Sequence, residues 1–161
     1  MRTGKTAPKS SGAMGTTMTT DPAWLRPQWP APASVRALST TRAGGVSHGV
    51  YGLEGGAPGG LNLGTHVGDD PGHVAENRAR LAGHLPAMPL WLEQVHGCAV
   101  ATVDHLAGPG EAAPRADASM AAAPGQVCAI MTADCLPVLL CDGEGTVSAL
   151  RTPDGVACAT A

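Results

Sequence analysis

The chain has 161 residues, 43% of them hydrophobic, and its ten basic and thirteen acidic side chains give a net charge of −3. This length and composition predict one globular domain with a core of its own. There is no basic stripe and there are few aromatic residues to interleave with one, so nucleic-acid binding is not expected. No apolar run approaches the length of a membrane span, so no membrane partner is expected either.

The two ends of the sequence differ in composition from the middle. The first 22 residues are basic and rich in Ser and Thr, but they lack the apolar core of a secretory signal. We expect a disordered leader over residues 1–22 and a folded part over residues 23–150. The five cysteines are an odd number with no signal peptide before them, which predicts reduced thiols and a cytoplasmic location.

The first half of the folded part is predicted to contain one strand, one loop and one helix. VRALSTT (35–41) is typical of a strand, and the Gly-Gly pair soon after it is typical of a turn. The Gly-rich stretch 48–60 predicts a loop. An acidic pair ending at Asp70, followed by Pro71, predicts the start of a helix over residues 71–85. Four side chains at helical spacing share one face of it: Val74, Arg78, Leu81 and Leu85.

The next stretch is predicted to continue as strands. LWLEQVHG (90–97) and CAVATVDHL (98–106) each read as a strand, with a break at Gly97. A Pro/Gly/Ala loop is predicted over residues 107–116.

The last part of the sequence predicts a β-hairpin. MTADCLPVLLCD (131–142) reads as a buried strand with Asp134 and Cys135 at its polar corner. Pro137 within this run indicates an edge strand or a bulge. The GEG that follows predicts a tight turn, and TVSAL (146–150) predicts the partner strand.

His96 and Cys135 lie at the polar ends of two apolar runs. Imidazole and thiolate are zinc ligands, and thiolate also suits copper(I). A cysteine nucleophile with a histidine base is another interpretation. One Cys and one His far apart in sequence also fit a buried small residue and a histidine at a strand end. The residues alone leave these alternatives open.

Other polar residues are candidates for substrate contacts. Arg42, Arg78 and Asn62 could each contact an anionic or sugar-bearing substrate, and each also fits an ordinary pairing at the end of an element. Asp134, next to Cys135, could serve as a general acid or base, or could cap the next turn.

Six motifs in order resemble the YfiH-type laccase-domain family, over about residues 35–150: STTRAGGVS, LNLGTHVGDDP, NRARL, WLEQVHG, ADA and TADCLPVLLCD. The resemblance implies an α+β fold, a mixed β-sheet domain with packed helices, of which residues 23–150 form the N-terminal part. Members are described as polyphenol oxidases, purine nucleoside phosphorylases or peptidoglycan editing factors. The resemblance further implies phosphorolysis of adenosine, inosine or methylthioadenosine, with adenosine deamination as a second activity. The implied partners are a purine nucleoside and phosphate.

The resemblance also implies a zinc site made by a His, a Cys and a second His, with copper as the less favoured metal. His96 matches the histidine of QVHG, and Cys135 matches the cysteine of TADC. Cys135, Asp134 and Arg42 then become the candidate catalytic residues. Arg42 and Asn62 become the candidate substrate-binding residues.

The second histidine of the family opens the motif HAGWRG, directly after the strand that matches TVSAL. Here Arg151 begins a different tail, RTPDGVACATA (151–161). Back-translated with free third positions and read two bases later, this tail permits His-Ala-Gly-Trp-Arg-Gly-Leu. We therefore interpret residues 151–161 as an aberrant, frameshifted tail, and we expect the chain to be truncated and inactive.

Three other functions remain as alternatives. The first is a cysteine hydrolase or amidase that edits peptidoglycan precursors, with Cys135 as the nucleophile. The second is a copper-dependent phenol oxidase, which two protein ligands and few Met or His clusters make implausible. The third is a non-catalytic, truncated gene product.

Overall fold

The structure is a computed structural model that describes residues 24–103 and 112–152, so the predicted leader lies outside the described residues. Its strands and helix follow one another in the order β1 (Ala43–Ser47), α1 (Pro71–Ala82), β2 (Val100–Thr102), β3 (Ala118–Ala121), β4 (Leu136–Cys141) and β5 (Val147–Thr152). Two short 3-10 turns, Gly49–Tyr51 and Glu54–Gly56, lie between β1 and α1. None of the helices in the described ranges is long and apolar enough to cross a bilayer.

Four of the strands form one mixed sheet in the order β2-β3-β5-β4. β2 runs parallel to β3, whereas β5 is antiparallel to both of its neighbours. The predicted hairpin is confirmed as β4 and β5, with Cys141 opposite Val147 at its closed end. Asp142 fixes the turn, because its Oδ1 accepts hydrogen bonds from the next backbone N–H groups. The mixed sheet with a packed helix is the α+β architecture expected from the sequence.

The position of β4 at the edge of the sheet agrees with the edge strand that Pro137 indicates. Pro137 lies opposite Arg151 in the only pairing that β4 makes within the sheet. An edge strand tolerates a residue without an N–H because one side of the strand has no ladder to complete. The same position explains why β4 is not the buried strand that was predicted: Leu136 is 62% exposed and Leu140 is 42% exposed.

Helix α1 begins where the sequence predicts. The Asp70 side chain accepts hydrogen bonds from the N–H groups of Gly72 and His73, at 2.7 and 3.3 Å, which satisfies donors that a helix start leaves unpaired. The helix ends at Ala82 and not at Leu85. The turn after Ala82 tightens to bonds between residues three apart, since Pro86 disfavours a helical conformation in the residue before it.

The predicted strand over residues 35–41 is wrong. The one backbone pairing there is an isolated bridge between Ser39 and Leu25, and β1 instead includes the Gly-Gly pair that was predicted to be a turn. A side chain at Gly45 would place its Cβ 2.2 Å from the carbonyl oxygen of Gly60. The glycines therefore allow two backbone segments to approach closely, which is a second use of glycine besides turns.

The strand predicted over residues 90–97 is also wrong. This segment makes only isolated bridges, from Leu90 to Cys128 and from Glu93 to Arg115. The strand predicted over 98–106 is confirmed only as the short β2, and residues 104–106 lie outside the described residues. Residues 131–135 precede β4, so the Asp134-Cys135 corner leads into the strand from its start.

The core is built from small and medium apolar side chains. Its central cluster consists of Leu90, Leu92, Val103, Ala116 and Ala121. Helix α1 adds Val74 and Leu81, both buried, from the face that helical spacing predicted. Small residues bury little area each, so each of these contacts contributes little hydrophobic stabilisation.

Candidate active site

The two segments that carry the predicted metal ligands are joined by one side chain. Gln94 donates from Nε2 to the carbonyl oxygen of Met131 and accepts at Oε1 from the N–H of Met131, both at 2.8 Å. The side-chain amide thus pairs with the Met131 backbone as one residue of a strand would pair with another. This contact places the loop containing His96 beside the segment that leads to Cys135.

The His96 loop is wrapped around a buried carboxylate. Asp117 accepts hydrogen bonds from three consecutive backbone N–H groups, those of Val95 at 3.2 Å, His96 at 2.9 Å and Gly97 at 2.7 Å. Among the described residues, His96 is the only non-glycine residue with a positive φ, at 58°. A left-handed conformation costs an ordinary residue about 1 kcal/mol, and the bonds to Asp117 offset that cost. The ring of His96 itself is exposed.

Arg151 completes the environment of this carboxylate. Its Nε and Nη2 both donate to Oδ1 of Asp117, at 2.8 and 2.6 Å, and the two side chains are only 9% and 3% exposed. Burial alone would raise the pKa of Asp117, but the bonds from Gly97, Arg151 and the other two N–H groups outweigh it. The pKa of Asp117 therefore lies below its usual value, and the group is a carboxylate at neutral pH.

Cys135 lies immediately before β4 and is half-buried. Its Sγ is 4.0 Å from Oδ1 of Asp134, which is exposed. The neighbour of the thiol is thus an acidic group. The geometry of this corner suits a weak donation from the thiol to the carboxylate.

The described residues do not complete a zinc site. In ranges 24–103 and 112–152 there is no group of three or more His, Cys, Asp or Glu side chains arranged to hold a metal ion. The position directly after TVSAL holds Arg151, whose guanidinium has no lone pair to offer a metal and adds a positive charge. His96 and Cys135 remain two predicted ligands without a third.

Arg42, predicted to contact substrate, is engaged with a loop of its own chain. Its Nε donates to the carbonyl oxygen of Gly52 and its Nη2 donates to that of Val50, both at 2.5 Å. These bonds tie the end of segment 35–42 to the Gly-rich loop before α1. Arg42 as a substrate contact stays a prediction, and any such contact would use the N–H groups that these bonds leave.

Asn62, the other predicted substrate contact, belongs to a buried polar cluster. It donates to Oδ2 of Asp69 at 3.0 Å, and Oδ2 also accepts from Ser47 at 2.7 Å. The side chain of Asp69 is 5% exposed. Burial raises the pKa of this carboxyl, but its hydrogen bonds and the nearby His73 bring it below the usual value. Asn62 as a substrate contact also stays a prediction.

Asn77 links that cluster to the helix and was not singled out from the sequence. It is fully buried, and its Nδ2 donates to Ser47 Oγ and to the carbonyl oxygens of Gly60 and Asn62, at 2.9 to 3.2 Å. Its Oδ1 accepts from the N–H of Val46 at 2.8 Å. The sequence feature that could have indicated Asn77 is a polar residue between Val74 and Leu81, on the apolar face of the helix.

Asp117 was also missed as an individual residue. The ADA motif served only to recognise the family, although it holds the carboxylate that shapes the His96 loop. Its signal was an acidic residue inside a run of small apolar residues that becomes β3. A carboxylate in such a position is rarely buried unless several donors surround it.

Comparison with known proteins agrees with this architecture. A family described as multi-copper polyphenol oxidoreductase laccase matches residues 36–151. The chain belongs to this family. Among curated proteins of this laccase family, one from Escherichia coli named purine nucleoside phosphorylase YfiH is 56% identical over 122 residues, which cover 74% of this chain and 46% of that protein. A purine nucleoside phosphorylase of Pseudomonas aeruginosa is 54% identical over 124 residues, covering 77% and 46%.

Solved structures of similar proteins show the same fold. A Neisseria meningitidis protein of family DUF152 has a TM-score of 0.68 at 43% identity, over 80% of this chain and 50% of that chain. YlmD from Geobacillus stearothermophilus has a TM-score of 0.66 at 32% identity, over 81% and 49%. The chain thus spans about half the length of the laccase-family proteins it matches. The α+β fold and the family inferred from the motifs are both confirmed.

Proposed function

We propose that this chain is the N-terminal part of a zinc-dependent purine nucleoside phosphorylase. The complete enzyme would split adenosine, inosine or methylthioadenosine with phosphate and would also deaminate adenosine. His96 and Cys135 would be two of its zinc ligands, and Asp134 would be an acid or base candidate beside them. The relatives from E. coli and P. aeruginosa are named purine nucleoside phosphorylases, which supports the phosphorylase part of the proposal.

The observation that carries the proposal is the pairing of Gln94 with Met131. It aligns the QVHG and TADC segments although they are far apart in sequence. Asp117 adds to this alignment, because its hydrogen bonds hold the backbone of His96 in a left-handed conformation that costs an ordinary residue about 1 kcal/mol. A site assembled from two segments needs such supports to keep its side chains in place.

The chain of 161 residues is proposed to be inactive by itself. The resemblance to the family would put the third ligand at the position of Arg151, and this arginine pairs with Asp117. Losing one ligand of three weakens zinc binding steeply, because binding free energy depends on the complete set. We expect neither stoichiometric zinc nor release of purine base from adenosine, inosine or methylthioadenosine.

The surroundings of Cys135 favour this proposal over a cysteine hydrolase. Reactive thiolates lie in electropositive surroundings, next to a cation or a helix start. The near neighbour of Cys135 is instead the carboxylate of Asp134.

A chimera tests the proposed function. Residues 24–150 would be joined to the remainder of the E. coli relative, which is 56% identical in the shared part. The chimera should bind zinc and release purine base from inosine in the presence of phosphate. H96A and C135A should each lower kcat/KM by about a hundredfold or more, since each removes a metal ligand.

C141A is the matched control. Cys141 is also a half-buried cysteine. It is the last residue of β4, the strand that begins directly after Cys135, and it lies opposite Val147 at the closed end of the hairpin. Its replacement should leave zinc content and kcat/KM within about twofold, because small changes away from a site have small effects. A folded, zinc-bearing chimera without phosphorolysis would refute the proposed activity, and equal losses in C141A and C135A would refute the ligand assignment.

A further inference from the structure

Arg78 lies on the inward side of α1 and is half-buried. Its Nε donates to the carbonyl oxygen of Leu63 at 2.8 Å, and its guanidinium carbon lies 4.0 Å from the ring centroid of Trp91. Nη2 is 3.9 Å from the Sδ of Met131, which is only a weak acceptor. Burial lowers the pKa of Arg78, but a guanidinium stays charged at neutral pH.

This cation differs from the paired arginines of the fold. Three arginines form ion pairs with a carboxylate, namely Arg80 with Glu76, Arg115 with Glu93 and Arg151 with Asp117. In the described part of the chain, no carboxylate lies within ion-pair distance of Arg78. A partly desolvated charge without a counter-ion is unfavourable, and an anionic ligand would relieve that cost.

Trp91 supplies a second donor at the same place. Its indole Nε1 is buried and has no hydrogen-bond acceptor among the described residues. Buried indole N–H groups usually find an acceptor, so this one calls for an explanation. A tetrahedral oxyanion has several acceptor oxygens, and it can accept from the guanidinium and the indole N–H together.

The pair also lies beside the candidate active site. Arg78 contacts Met131, whose backbone is bound by the side chain of Gln94. Trp91 begins the WLEQVHG segment that carries His96. A ligand held by Arg78 and Trp91 would therefore be close to both segments that carry the predicted metal ligands.

We infer that Arg78 and Trp91 form an oxyanion site that binds inorganic phosphate. The choice of phosphate among oxyanions rests on the proposed phosphorolysis. The site itself rests on a guanidinium without a carboxylate partner and an indole N–H without an acceptor, on two side chains that stack on each other. Arg78 would thereby supply the cationic contact that phosphorolysis needs, in the bidentate form that guanidinium groups give to phosphate.

Equilibrium dialysis with labelled phosphate tests the inference on the full 161-residue chain, at constant ionic strength set with chloride. The wild-type chain should bind phosphate in a saturable manner. R78Q should weaken binding by about tenfold or more, because it removes a charge-assisted hydrogen bond. W91F keeps an aromatic ring under the cation and against α1, but removes the indole N–H together with the rest of the second ring, so it should weaken binding by about three- to tenfold.

R80Q is the control, since Arg80 is on the same helix but is exposed and paired with Glu76. It should bind phosphate within about twofold of the wild type. W91F keeps the inference testable if R78Q does not fold, because it leaves the packing against α1 in place. Absence of saturable binding, or equal binding by the wild type and W91F, would overturn the inference.

The two proposals fail in different ways. If phosphate binds through Arg78 but the chimera does not release purine base, the proposed function fails and the oxyanion site stands. If the chimera is active while R78Q and W91F leave phosphate binding unchanged, the oxyanion site fails and the proposed function stands.

Discussion

Asp117 is the residue on which the shape of the candidate site most depends. It accepts from three backbone N–H groups and twice from Arg151, and its side chain is almost completely buried. Such a carboxylate is stable only because all of its donors are present together. Its removal should therefore release the His96 loop as well as the end of β5.

The first prediction concerns the pH dependence of that effect. D117N should lower the free energy of unfolding by about 3 kcal/mol at neutral pH, because it leaves Arg151 buried without its partner. The native pKa of Asp117 lies below its unfolded value, which is about 3.9. The stabilisation is thus complete above the unfolded pKa and is lost as the pH falls through the native pKa.

Urea unfolding of both proteins between about pH 7 and pH 3 measures this prediction. The difference between wild type and D117N should shrink as the pH falls below about 4. Asp69 has a lowered pKa in both proteins, so its contribution cancels in the difference. E144Q, at an exposed position in the hairpin turn, should change the free energy of unfolding at pH 7 by no more than about 0.5 kcal/mol. A gap for D117N that does not change with pH would contradict the role given to the carboxylate.

At the scale of elements, local signals predicted more than long-range ones. The start of α1 and the β4–β5 hairpin followed from residues adjacent in sequence, Asp70 with Pro71 and the GEG turn. The conformation of His96 and the path of β1 depend on Asp117 and Gly60, which lie far away in sequence. Sequence periodicity carries no information about such contacts, so it wrongly predicts strands over segments 35–41 and 90–97.

The second prediction tests the close approach at β1. G45A should lower the free energy of unfolding by about 3 kcal/mol, which is the upper end of the usual range for point mutations. Its Cβ would be 2.2 Å from the Gly60 oxygen and 2.3 Å from Oδ1 of Asn77, so backbone and helix would have to separate. Thermal or urea unfolding measures the loss.

G143A provides the matched comparison, because a Cβ at Gly143 meets no atom within 4 Å. It should change stability by no more than about 0.5 kcal/mol. If G45A lowered the free energy of unfolding as little as G143A, β1 would not lie as close to Gly60 as it does in the structure.

At the scale of the whole molecule, the feature that matters is the exposed edge of the four-stranded sheet. The chain covers 46% of the curated relatives, and its β4 is an edge strand with exposed Leu136 and Leu140. An apolar edge strand favours association with other chains. We therefore expect the 161-residue chain to be poorly soluble, because its apolar edge associates with other chains. D134N, a change beside this edge, should not relieve that association.

The last prediction concerns Arg151, at the position where the proposed zinc site would need its third ligand. Strand β5 continues through Thr152, so Arg151 occupies a regular strand position directly after TVSAL. We propose that a base insertion or deletion near the codon of Arg151 put this residue in place of the family's histidine. Residues 153–161 of the predicted aberrant tail lie outside the described residues.

The nucleotide sequence from the codon of Leu150 onward decides this. Read two bases later, it should encode HAGWRG followed by leucine. The same shift applied to codons 107–116, a comparable Pro/Gly/Ala stretch, should give no family motif and serves as the control. In the protein translated from the restored frame, histidine replaces Arg151, so Asp117 loses its guanidinium partner. The histidine offers zinc a neutral nitrogen ligand, and zinc affinity should rise by about tenfold or more. A gene that encodes no HAGWRG there in any frame would make Arg151 a native residue and its pair with Asp117 a feature of this chain.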